Sequence, residues 1–163
     1  MREYVGEAVV LHKDLQGELD ERVVFFAKEF GKQSAKIKSG RKITSKLSPH
    51  LEPGNLVRVR WIEKGNLQVV DALKSARLSF SPSFLKLLGD ILAEHNHDEE
   101  VWNFLKKGNE DSRELLSILG WSPEGAICQL CSSAPHLFGV ESLGYYCEDC
   151  GFKVRGNKIY LAA

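Results

Sequence analysis

Between residues 4 and 73 apolar positions recur in short runs with polar neighbours: "YVGEAVVLH", "RVVFFAKEF", "KQSAKIK", "LVRVRWI" and "LQVVDAL". They are rich in Val, Ile and aromatic residues and predict five strands. Turn chemistry separates them: "DLQGELD" at 14–20, Gly31 between the second and third runs, and the tight-hairpin signal "EKGN" at 63–66. The third connection, residues 39–55, is much longer, holds Ser48-Pro49 and Pro53-Gly54, and leaves space for one short helix. Five short strands with a long link between the third and fourth suit the oligonucleotide/oligosaccharide-binding (OB) barrel. An SH3-like barrel or a small sandwich is the alternative.

From residue 82 the period changes to that of a helix. "SPSFLKLLGDILAEH" spaces Phe84, Leu85, Leu88, Ile91 and Leu92 helically, with Ser81 as N-cap and Pro82 at the first helical position. "DEEVWNFLKK" starts acidic and ends basic, matching the helix macrodipole, with Gly108 as its stop. "EDSRELLSILG" repeats the design with Asp111 as cap, Glu114 three residues on and Gly120 at the end. Trp102, Phe104, Leu105, Leu115, Leu116, Ile118 and Leu119 are the expected apolar faces of a small helical module packed on the barrel. The segment from Trp121 ends in "FKVRGNKIYLAA", where Gly156-Asn157 predicts a terminal hairpin. The expected organisation is therefore a mixed β + α chain: an OB-fold barrel domain over 1–78, a short helical module over 79–120, and an element that holds the chain's four cysteines and a C-terminal hairpin over 121–163.

Composition supports a folded chain: of 163 residues 43% are hydrophobic and 27% charged, outside the low-hydrophobicity, high-charge regime of disorder. The N-terminus breaks its apolar run at Glu7 and no window approaches a membrane span, so a cytoplasmic location and no membrane partner are expected. The formal net charge of zero conceals an asymmetry. Residues 1–80 carry 15 Lys+Arg against 10 Asp+Glu, and residues 81–163 carry 7 against 12. A basic half points to a polyanion, and the acidic half makes that basic surface local.

Alternation gives the basic residues a geometry. In "KQSAKIK" a strand sends Lys32, Ser34, Lys36 and Lys38 to one face and Gln33, Ala35 and Ile37 to the other; in "LVRVRWI" Arg58 and Arg60 oppose Val57, Val59 and Trp61. Arg41, Lys42 and Lys46 extend the charge into the following loop, so residues 28–46 hold seven basic residues and one acid, Glu29. Such a stripe can track a phosphate backbone without reading bases. A solvated strand face with a basic loop is the plainer reading.

The sharpest chemical signal is Cys128-x2-Cys131 followed after fifteen residues by Cys147-x2-Cys150. Two intervening residues let both thiolates of a pair reach one tetrahedral ion, and the second pair closes the shell. Structural zinc is expected, because four thiolates leave no position for a reacting water; disulfides, a redox pair or an iron–sulfur cluster are the alternatives. His136 is surplus to this set. "HNH" at 95–97, followed by "DEE", reads as solvated or capping residues, and Phe25, Phe26 and Trp61 read as core. No Gly-rich phosphate loop follows a strand, and nothing in the sequence supports catalysis, so a non-enzymatic protein is expected.

These residues resemble the RecO family of bacterial DNA-repair and recombination mediators. "EAVVLHKDLQGELDERVVFFAKEFGKQSAKIKSGRK" is similar to the family's opening, "SKLSPHLEPGNLVRVRW" to its continuation, and "LLSILGWSPEGAICQLC" with "GYYCEDC" to its entry into a four-cysteine zinc element. The resemblance covers residues 3–75 and 111–151, and the helical region between barrel and zinc element is shorter than the family's. It implies an OB barrel, binding to single- and double-stranded DNA, annealing of complementary strands, and partnership with RecR and the single-strand-binding protein in loading RecA in the RecF pathway. Carried onto this chain, Cys128, Cys131, Cys147 and Cys150 would be zinc ligands. Lys32, Lys36, Lys38, Arg41, Lys42, Lys46, Arg58 and Arg60 would form the DNA face. A general single-stranded RNA-binding module and a protein–protein adaptor are the alternatives.

Overall fold

The computed structural model describes residues 1–161. Its N-terminal strands are β1 (Arg2–Gln16), β2 (Asp20–Ala27), β3 (Gly31–Ile37), β4 (Asn55–Lys64) and β5 (Asn66–Arg77). They close into a barrel in the order β1-β2-β3-β5-β4, antiparallel except at the β3–β5 seam, which is parallel and registers at Lys36 and Gln68. Alternation sends Ala8, Val10, Phe25, Ala35, Ile37, Val57, Val59 and Trp61 into one interior cluster.

Two local features depart from simple alternation. The run Ala8-Val9-Val10-Leu11 is buried throughout, because a bulge between Val10 and His12 shifts the register and α1 (Pro82–Ile91) covers the outer side of β1. Residues 38–54 form turns and not the expected short helix. Pro49 and Pro53 remove two backbone donors from that segment, and Leu51, fully buried, joins the barrel core.

The helix signals are realised closely. Ser81 caps α1 by accepting from the Phe84 N–H at 3.3 Å, with Pro82 in its first turn. Asp98 caps α2 (Glu99–Lys107), which stops at Gly108 in the left-handed region, φ 69°. Asp111 accepts from the Arg113 and Glu114 N–H groups to start α3 (Ser112–Ile118). Trp102, Phe104, Leu105, Leu115 and Leu116 are buried, whereas Ile118 and Leu119 are half-buried.

The chain divides into two compact units, Met1–Asn109 and Glu110–Ala163. The first two helices thus belong with the barrel and α3 with the cysteine element. The second unit holds β6 (Leu137–Gly139), β7 (Gly144–Tyr146), the single turn α4 (Glu148–Gly151) and β8 (Lys158–Tyr160). Gly156-Asn157 does lead into a strand, but β8 pairs with β6, giving a sheet of order β7-β6-β8 in place of a hairpin closed on residues 152–155. Residues 162 and 163, the end of the expected zinc element and hairpin, lie outside the described residues. Among the described residues no helix is long and apolar enough to cross a membrane.

Candidate nucleic-acid interface and metal centre

The eight basic residues of the expected DNA face occupy three different environments. Lys32 has the outward parity assigned to it, yet it is 9% exposed, and its ammonium donates to the Gly89 carbonyl at 2.8 Å. That carbonyl lies in the last turn of α1, where the helix macrodipole favours a cation. Gly89 also lets α1 lie close to β1, since a Cβ there would stand 2.7 Å from the His12 ring. Lys32 therefore fastens α1 to the barrel and is unavailable to a ligand. Alternation fixes which side a residue faces but not what covers that side.

Lys36 and Arg60 are outward and partly exposed, but each has a carboxylate partner. Lys36 Nζ lies 2.6 Å from Asp20 Oδ2, and Arg60 lies 3.2 Å from Glu3 Oε1. The Lys36 ammonium and the Ser39 N–H hold the Asp20 carboxyl below the usual carboxylate range. Arg22 does the same to Asp14 at 2.6 Å. The outer face at this end of β2 and β3 is thus a set of neutral pairs.

Lys38, Lys42, Lys46 and Arg58 are exposed and make no ion pair among the described residues. Arg41 belongs with them: its guanidinium donates to the Glu18 carbonyl at 2.7 Å and its N–H to the Leu19 carbonyl at 3.0 Å, and it has no acidic partner among the described residues. These bonds tie the start of the β3–β4 loop to the β1–β2 turn. Asp20 Oδ1 reinforces the tie by accepting the Ser39 N–H at 2.7 Å. OB barrels usually contact ligands through the strand 2–3 face and the loops joining strands 1–2 and 4–5; here the β3–β4 loop, tied to the β1–β2 turn, carries four cations within nine positions.

The aromatic residues expected in the core are buried, whereas the two histidines of "HNH" are exposed but hydrogen-bonded to another segment and cap no helix among the described residues. Phe25 and Trp61 are interior, and Phe26 is buried on the outer side. His95 Nδ1 lies 3.0 Å from the Gln33 amide and His97 Nδ1 2.8 Å from the Lys28 carbonyl, so "HNH" is a tether between the connection after α1 and the start of β3.

In the second unit the four thiols converge. Their Sγ atoms all lie within 4.8 Å of one another, and Cys131 and Cys147 are 3.6 Å apart. A tetrahedral zinc with Zn–S of about 2.3 Å requires sulfurs roughly 3.8 Å apart, so the donor set fits such an ion. Each pair sits on a tight turn: the Ser132 N–H bonds the Cys128 carbonyl at 2.8 Å, and the Gly151 N–H bonds that of Cys147 at 2.8 Å. His136 stands outside the cluster.

Burial opposes ionisation of Cys128, but hydrogen bonds from the backbone of Cys147, Leu130 and Cys131 outweigh it and draw its pKa down to about 6. Cys150, by contrast, is pushed up to about 12 by its hydrogen bonds with the Cys147 and Cys131 side chains. Thiols this close cannot all ionise unaided; a divalent cation among them would reverse that repulsion. Cys128, Leu137 and Tyr146 form the local core, with Cys147, Cys150 and Val154 packed against it. With so few apolar residues in this core, an ion held by the cysteines would contribute folding free energy directly.

Fold and site together define a class: an OB-barrel protein with a four-cysteine, zinc-compatible element in the same chain. Residues 1–78 match the family model described as Recombination protein O N terminal. The chain is also 25% identical over 177 residues to the DNA repair protein RecO of Thermoanaerobacter sp. (strain X514), covering 93% of this chain and 69% of that protein. The barrel is thus similar to the N-terminal part of recombination protein O, and the chain as a whole is similar to a RecO protein.

Proposed function

We propose that this chain is a DNA-binding mediator of recombinational repair, which holds single- and double-stranded DNA, anneals complementary strands and assists RecA loading with RecR and the single-strand-binding protein. The observation that carries the reading is the RecO-type barrel whose β3–β4 loop presents Lys38, Arg41, Lys42 and Lys46 without carboxylate partners. Cations in this state neutralise phosphates and release condensed counterions without first breaking an ion pair. Arg58 is a further contact on β4. Lys36 and Arg60 contribute only after parting from Asp20 and Glu3, and Lys32 does not contribute. A role on chromosomal DNA places the protein in the cytoplasm, at the nucleoid.

In this reading Cys128, Cys131, Cys147 and Cys150 hold one structural zinc, and the ion's contribution is to fold the second unit. All four donors are thiolates, so the centre offers no position at which water or substrate could react. The barrel and its loop act by binding and positioning strands.

The test is an annealing assay on complementary strands coated with single-strand-binding protein, using zinc-loaded protein. Faster annealing than in its absence, and retention of RecR on immobilised protein, is the expected result. A protein that ignores DNA at low salt refutes the reading, and a preference for RNA over DNA of the same sequence transfers it to an RNA-binding role.

A further inference from the structure

A cleft of about 570 Å³ opens in the first unit beside the narrow β3–β5 seam. The edge of β3 is bridged to Glu94 at Lys32 and to β5 at Lys36, and the cleft opens at Gln33 and Ser34 between these bridges. Its floor is aromatic. Tyr4 stacks on Trp61 with centroids 5.6 Å apart and planes 19° from parallel, and Phe30 meets both rings edge-on at 5.3 Å. Its rim is acidic: Glu29, Glu63 and Glu94 line it, exposed and in no ion pair among the described residues, against Arg2 as the one Lys or Arg among the lining residues.

A second feature marks it as more than an acidic patch. The Gln33 side chain is 5% exposed and lines the cleft. Its amide nitrogen donates to the Phe30 carbonyl at 2.7 Å and lies 3.0 Å from His95 Nδ1, which orients the group. The amide oxygen makes no such bond among the described residues, so it is an acceptor that solvent or a ligand at the cleft wall can reach.

We propose that this cleft receives an arginine side chain presented by a partner protein. A guanidinium is planar and weakly hydrated, so it lies over an aromatic face at little desolvation cost. Its forked N–H groups match carboxylates on the rim and the Gln33 oxygen on the wall. A lysine ammonium, strongly hydrated and without a planar face, fits the same floor less well. Nucleic acid is the disfavoured occupant: its bases could stack on Tyr4 or Phe30, but its phosphates would meet three carboxylates. The cleft lies at the start of β3 and the basic loop follows its end, so the barrel has oppositely charged surfaces for two different ligands.

The probe is a blocked Gly-Arg-Gly peptide, titrated into the isotope-labelled, zinc-loaded full chain while amide resonances are followed by NMR; the counterpart with uncharged citrulline is the control. The expected result is saturable shifts of the Gln33 side-chain amide and of the Phe30 and His95 backbone amides with arginine, and none with citrulline. In the triple variant Glu29→Gln, Glu63→Gln, Glu94→Gln the affinity should fall about tenfold, with the rest of the spectrum unchanged because all three side chains are exposed. Equal responses to arginine and citrulline, no response up to millimolar peptide, undiminished binding by the triple variant, or the same shifts produced by a single-stranded oligonucleotide would each overturn the proposal.

Discussion

Replacing Lys38, Arg41, Lys42 and Lys46 together by Gln tests whether the β3–β4 loop is the DNA contact, and the structure sets the size of the effect. Of the eight basic residues singled out by sequence, Lys32 is buried under α1 and Lys36 and Arg60 are paired with carboxylates. Five remain: Lys38, Arg41, Lys42, Lys46 and Arg58. Each phosphate contact on a single strand adds about 0.7 to the slope of log affinity against log salt, so five give a slope near about −3.5. The quadruple variant removes about 2.8 of this, leaving a slope near about −0.7 and lowering affinity about 600-fold at about 0.1 M salt. Fluorescence anisotropy of a labelled single strand across a salt series measures both quantities. Lys36→Gln should leave the slope within about half a unit of the parent, because that ammonium already has a counter-charge in Asp20. A quadruple variant that keeps the parental slope, or a Lys36→Gln effect as large as the loop's, would refute the reasoning.

Other expectations follow from the same geometry. Cys131→Ser should abolish stoichiometric zinc retention, read by metal analysis, and expose the second unit to protease while the first unit keeps its hydrogen-exchange protection, since each unit has its own core. Trp61→Ala, at a side chain 1% exposed and in contact with Tyr4, Phe25 and Phe30, should lower stability to urea by about 3–5 kcal/mol. The Lys36–Asp20 pair should act only above acid pH. Asp20's folded pKa is depressed, so its contribution is present above the unfolded value of about 3.9 and is lost as pH falls through the lower folded one. The stability difference between parent and Lys36→Gln should therefore be constant around neutrality and shrink in acid; a difference that grows below about pH 4 would contradict this.

The features legible in the sequence were those with local causes. Ser81 and Asp111 lie where a side-chain oxygen can reach free N–H groups, and helices start there; the Asp98 cap of α2 was not anticipated, only that helix's acidic start and its stop at Gly108. The strand pattern also emerged at five places, though "RVVFFAKEF" overran the end of β2 because residues 28–30 turn at Ala27 despite their apolar Phe30. The cysteine spacing announced the cluster because two short turns suffice to aim each pair. What failed were inferences that depended on a distant element. The 39–55 connection looked long enough for a helix but became a series of turns that delivers Leu51 to the barrel core. The last strand found its partner in β6, not in its own sequence neighbours.

Sequence alone determined the kind of protein this is: alternation, turn residues and capping residues act over a few positions, and their order specifies a five-stranded barrel, short helices and a four-thiol element. It also determined that the cations cluster after β3. Only the tertiary structure decided which of those cations are available. α1 covers Lys32, Asp20 and Glu3 engage Lys36 and Arg60, and the loop cations are left unpaired. The acidic aromatic cleft was likewise invisible in sequence, since Tyr4, Phe30, Gln33, Trp61 and Glu94 meet only when the barrel closes. Side-chain parity is set by the covalent backbone; coverage and pairing are set by residues far along the chain.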